Sequence, residues 1–105
     1  MLLYTHSLCL AHDAGSGHAE TPARLHAVLA ALTTPPLNLV ARQAPAATVE
    51  QLQRVHTADH VAHMLRLTDT PEPVALDADT QASRHSIAAA LHAAGAVLAA
   101  VNAVW

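Results

Sequence analysis

Histidine and cysteine are the side chains best able to bind a metal or move a proton. This chain carries nine histidines but one cysteine in 105 residues. His6, Cys9, His12 and His18 lie close together near the start. Short His and Cys spacings suit zinc. A structural zinc site normally uses paired cysteine motifs, however, and a single cysteine favours a solvated loop with one buried thiol. His56, His60 and His63 stand at i, i+4 and i+7, which on a continuous helix places three imidazoles on one face. Thr57 is a good cap and interrupts that face, and no carboxylate nearby orients the rings. The expectation is a packed, hydrogen-bonded His56 with the other two solvated. Asp77 and Asp79 precede a helix, where aspartates bind an amine, a cation or a backbone N–H; the commoner role is a solvated turn. In AHDAGSGHAETPARL, residues 11–25, flexible backbone leads into His18 and Glu20 at the mouth of a helix. No G-x-S-x-G, H-E-x-x-H, phosphate-binding glycine loop or C-x-x-C occurs. Spacing alone assigns no reaction.

The elements that must hold these residues can be read from pattern. LLYT, residues 2–5, is a short strand, and residues 6–20 are a loop. Thr21 and Pro22 open a helix with a cap and a proline at its first position. Leu25, Val28, Leu29 and Leu32 form one stripe along it. Pro35 and Pro36 end it. Residues 37–44 alternate as a strand. Thr48 to Gln51 has capping-box spacing for a helix through Val55. Thr57 opens a second short helix carrying Val61, Met64 and Leu65. Residues 68–82 form an acidic, proline-containing loop, after which Ser83 caps a helix running to the last residue. Strands alternating with helices point to an α/β fold with a parallel sheet.

From Ile87 to Trp105 no residue is charged. A helix apolar nearly all round is buried on most sides. Its length of about 28 Å at 1.5 Å per residue also suits a membrane span, but alanine is a weak membrane residue and no basic flank follows. The chain stops in mid-helix, so it reads as a single incomplete domain over residues 1–105. Half of the residues are hydrophobic, yet the aromatics are Tyr4 and Trp105 alone. Alanine fills little core volume, so such a core wants close helix packing or further protein against it. A net charge of −3, five scattered arginines and no lysine argue against nucleic acid as a partner. A lone cysteine and no signal peptide fit the cytoplasm.

Three segments together carry a family likeness. GHAETPARLHAVLAAL resembles the GHPE-P-RL segment of the histone deacetylase superfamily, above all its bacterial class II-like deacetylases and acetylpolyamine amidohydrolases. ATVEQLQRVHTADHVAHML and DADTQASRHSIAAALHAAGAVLAAVNAV resemble two later segments, in the same order and at similar spacing. The resemblance implies the N-terminal part of an arginase/deacetylase-like three-layer fold with a parallel sheet. It implies zinc-dependent hydrolysis of an acetyl-amide, in acetyl-lysine or an acetylpolyamine: zinc polarises the carbonyl and activates water, a histidine pair relays protons, and a tyrosine steadies the oxyanion. His18, Glu20 and Asp79 resemble residues of the substrate rim. Arg24 resembles an arginine of an internal channel associated with acetate release. Ala19 and Ala23 depart from the pattern, where a proline and a charged residue are usual. The glycine-histidine-histidine and D-x-H segments, with the zinc ligands, are not among these residues. This chain is therefore expected to hold no zinc, to have no catalytic residue of its own and to be inactive by itself. Two rivals remain: a non-catalytic helical module that self-associates through the alanine-rich last helix, around Ala94, Gly95 and Leu98, and a small zinc protein using His6, Cys9, His12 and His18.

Overall fold

The computed structural model describes residues 1–71 and 73–105. Strand β1 (Leu3–Thr5) pairs in parallel with β2 (Ala41–Gln43), Leu3 opposite Ala41 and Thr5 opposite Gln43. Between them runs helix α1 (Pro22–Thr33), so the pair is a β-α-β crossover. Thr21 stands at the N-cap in extended conformation with Pro22 at the first helical position, although its side chain makes no capping bond. Thr34 ends the helix ahead of the two prolines. The stripe on α1 is only half covered: Leu25, Leu29 and Leu32 are partly exposed and Val28 is 43% exposed.

Helix α2 (Val49–Leu52) starts on a complete capping box: Thr48 Oγ1 accepts from Gln51 N–H, and Gln51 Oε1 accepts from Thr48 N–H. It lasts one turn, not the two anticipated to Val55, because the chain leaves it in a turn before Thr57. Helix α3 (Ala58–Arg66) is capped by Thr57, whose hydroxyl accepts from His60 N–H, and it buries Val61.

Further expectations change. The loop before α1 contains a 3-10 turn, Ser7–Ala11, seeded by His6 Nδ1 accepting from Leu8 N–H. The strand expected over residues 37–44 is confined to Ala41–Gln43, after a turn in which Asn38 adopts φ +48°. The acidic segment is not all loop: Leu67–Asp69 is a 3-10 turn, and β3 (Val74–Asp77) pairs antiparallel with β4 (Thr80–Ala82) in a tight hairpin. Helix α4 (Ser86–Val104) begins at Ser86, with His85 at the N-cap, and Ser83 lies in the preceding turn.

Helix α4 organises the rest. It lies along β1 and the first 3-10 turn. Its first turns join a small core in which Leu67, Ala82 and Ile87 meet Met64, Leu65, Val74 and Leu91. Further along, Leu91 C=O accepts from Ala47 N–H, and buried Gly95 admits the backbone of Pro45 and Ala47. The helix is not buried on most sides, as its composition had suggested: Val97, Val101 and Val104 are 64%, 49% and 76% exposed, and Trp105 is fully exposed. By length and composition it is apolar enough to cross a membrane. The accessible surface is 7,028 Å², against about 5,600 Å² for a self-contained globular protein of this mass. The excess includes the exposed valines of α4 and Trp105.

Candidate active-site cleft

A cleft of about 520 Å³ opens between the first 3-10 turn, α1, β4 and α4. Its floor is made by small residues of α4, among them Ala89, Ala93 and Ala96. Its polar wall is His12, Glu20, Arg24, Thr80, Gln81 and Ser86.

The loop ahead of α1 delivers the first two. Gly15 and Gly17 take φ of +104° and +78°, conformations open to glycine at little cost. Asp13 Oδ1 accepts from Gly15 N–H and closes the bend. His12 then reaches across the cleft. Its Nδ1 lies 2.7 Å from Ser86 Oγ, and its Nε2 lies 3.5 Å from Glu20 Oε2. With Nε2–H directed at the carboxylate, Nδ1 accepts from the Ser86 hydroxyl. Ser86 Oγ accepts in turn from Ser83 N–H at 2.7 Å. The Glu20 contact is long and exposed and contributes little. The Ser86 bonds are different, because this side chain is buried. Ser86→Ala is expected to cost about 1–3 kcal/mol by leaving Ser83 N–H and His12 without their partner, read as a lower midpoint in thermal unfolding.

His18 makes the second link. Its Nδ1 accepts from Glu20 N–H at 3.0 Å, so Nε2 carries the hydrogen and donates to Asp79 C=O at 3.0 Å. The loop is thereby tied to the tip of the β3–β4 hairpin. Asp79 meets His18 through its backbone carbonyl, and the residue is exposed. The hairpin tip is held by Asp77, whose carboxylate accepts from Asp79 N–H at 2.9 Å. That bond, with a second from the Thr80 hydroxyl, keeps the Asp77 carboxyl below the ordinary aspartate range. A lowered folded-state value means that Asp77 supports the tip above the unfolded value, and that this support is lost as pH falls through the depressed one. On acidification the Asp79 amide is therefore expected to lose exchange protection, with a midpoint below that of a free aspartate, and Asp77→Asn removes the transition. Amide exchange by NMR checks both.

Arg24 enters the cleft from the first turn of α1, and among the described residues no carboxylate lies within ion-pair distance of it. It is the cation of this wall.

Of the four residues singled out as rim and channel, Glu20 and Arg24 line the cleft, and His18 and Asp79 bond to each other beside it. His12, Thr80, Gln81 and Ser86 complete the wall and were not singled out for it. Ser86 and His12 are 74 positions apart, and no local pattern links them. The first His/Cys group does not converge. His6 stacks on His92 with centroids 3.8 Å apart, Cys9 Sγ faces Ala89 C=O, and His12 and His18 are engaged as above. The expected packing of His56 is also not found: His56 is exposed, as are His60 and His63.

A catalytic zinc does not fit this wall. Among the described residues no three His, Cys, Asp or Glu side chains gather as a ligand set. His12 and Glu20 are turned on one another, and the guanidinium of Arg24 shares the space.

Residues 18–105 match the model of the histone deacetylase domain, and the chain belongs to that family. Among solved structures it is similar to the HD domain of the plant protein HDA15, at 28% identity and a TM-score of 0.80. That match covers 90% of this chain but 28% of the HDA15 chain. No curated protein sequence matches it. The α/β crossover, the cleft and α4 are thus a part of a deacetylase fold.

Proposed function

We propose that these residues form the rim and inner wall of the active site of a zinc-dependent deacetylase acting on acetyl-lysine or an acetylpolyamine. The observation that carries this is that Arg24 and Glu20 line one cleft, with the His18–Asp79 link beside it, in segments belonging to a deacetylase domain. In this reading the hairpin and the glycine loop shape the mouth through which the acyl-amine enters. Arg24 presents a charge that attracts the carboxylate formed when the amide is cleaved. His12 and Ser86 hold the loop against α4. Zinc, where bound, would polarise the amide carbonyl. Its ligands would come from outside these 105 residues, and the chain by itself would not hydrolyse the amide.

The test is acetate release from an acetyl-lysine peptide and from an N-acetylated diamine, with zinc present. The 105-residue chain and a whole family domain containing it are compared. Release by the whole domain alone, abolished by a chelator, is expected. Release by the short chain would sink the division of labour proposed here.

A second reading, self-association through α4, draws on the exposed edge of Val97, Val101 and Val104, at i, i+4 and i+7. The face first considered, around Gly95, is not open to a partner helix, because Pro45 and Ala47 already occupy it. A monodisperse monomer in light scattering would remove this reading.

A further inference from the structure

We propose that His56 and His60 form a chelating site for a late first-row divalent cation, copper(II) foremost. This site stands apart from the cleft and does not depend on the proposed deacetylase activity.

The two rings are neighbours, with centroids 5.1 Å apart and planes inclined by 41°. Imidazole nitrogens bind such metals at about 2.0–2.1 Å. A ring centroid then sits roughly 3.2 Å from the ion, and two rings that subtend about 90–110° at the ion have centroids about 4.5–5.2 Å apart. The observed centroid spacing falls in that range, and rotation of the two exposed side chains to aim one nitrogen of each at the ion is the ordering that binding has to impose. Most other histidine rings are engaged: His6 with His92, His12 with Ser86, His18 with Asp79, His92 with Ala88 C=O. Among the described residues no hydrogen bond engages the side chain of His56 or His60, and both are exposed.

The pairing has a local cause. Thr57 caps α3 in extended conformation, φ −66° and ψ 152°, with its hydroxyl on His60 N–H. His56, just before this cap, lies beside the first turn that carries His60. The cap, expected to separate these rings, brings them together. Beneath them is an apolar hollow of about 170 Å³, with Leu52, Met64 and Leu91 in its lining. The helix start opposes a cation, by no more than about fivefold at an exposed position, and Asp59 in the same turn offsets it. Two neutral imidazoles with water in the other positions suit copper(II) above zinc, nickel or cobalt, following the usual order of affinities.

The experiment is a titration of the whole 105-residue chain with copper(II), followed by calorimetry and by electron paramagnetic resonance. Expected is a 1:1 complex with coupling to two imidazole nitrogens. His56→Ala and His60→Ala should each weaken it at least about tenfold and remove one nitrogen. His63→Ala, on the same helix but outside the pair, should leave it unchanged. Both exposed variants should keep the parent circular-dichroism spectrum. Equal affinity in the parent and both variants would overturn the proposal. So would loss on His63→Ala with retention on His56→Ala, which would place the ligands elsewhere.

Discussion

Replacing Gly95 with alanine is expected to cost about 3 kcal/mol or more and to lower the midpoint of thermal unfolding by well over 10 °C. At an exposed helical position the same change would help, by about 1 kcal/mol, since alanine is the better helix former. The sign reverses here because of what the added carbon meets. Gly95 is buried against the segment that follows β2. A Cβ there would collide with the carbonyl oxygen of Pro45, lie 2.8 Å from its carbonyl carbon and 3.0 Å from Ala47 N. These are backbone atoms and cannot rotate away. Relief requires α4 to move off the segment, which would break the Ala47 N–H to Leu91 C=O bond of 2.9 Å. It would also expose Ala44 and Ala47, now 2% and 6% exposed. Total stabilities of small domains are about 5–15 kcal/mol, so the substitution removes a large share. Circular-dichroism melting of both chains decides it. An unchanged midpoint would mean that α4 does not press on this segment in solution.

The second large effect concerns Arg24. In an intact family domain carrying these residues, Arg24→Ala is expected to lower kcat/KM for acetyl-amide hydrolysis by about 10- to 100-fold. This corresponds to the roughly 1.5–3 kcal/mol of a charged hydrogen bond. The basis is that Arg24 has no carboxylate of its own within ion-pair distance among the described residues, yet lines the cleft. Its charge is available to an anion formed inside. Arg24→Lys keeps the charge but loses the two-pronged geometry of the guanidinium, and should fall between the two. Added acetate should inhibit the parent more strongly than Arg24→Ala. Steady-state kinetics with acetate as product inhibitor checks all three. Equal activity in parent and Arg24→Ala would remove Arg24 from the proposed inner wall.

Local chemistry made several elements legible. Proline at the start of α1 and a proline pair after it delimit that helix, because ring geometry acts on the residues beside it. The capping box at Thr48 and the cap at Thr57 involve partners three residues away, and both are present. The hairpin of β3 and β4 was not legible. Its strands are short and mostly exposed, and Asp77, Ala78 and Asp79 read as an ordinary solvated turn. The length of α2 was overestimated because the stop before Thr57 carries no proline or glycine.

The family likeness lies in linear motifs, and it drew attention to His18, Glu20, Arg24 and Asp79 before any geometry was considered. What those motifs leave open is contact between distant positions. The sequence by itself determined the caps at Thr48 and Thr57, the start of α1 at Pro22 and the charge-free last helix, because each depends on neighbours within a few residues. Only the tertiary structure decided that His12 bonds to Ser86, that His18 meets the backbone rather than the carboxylate of Asp79, and that Gly95 is a backbone contact rather than a face for a partner helix. Each of these joins segments tens of residues apart, and their placement depends on how α4 packs across the whole chain.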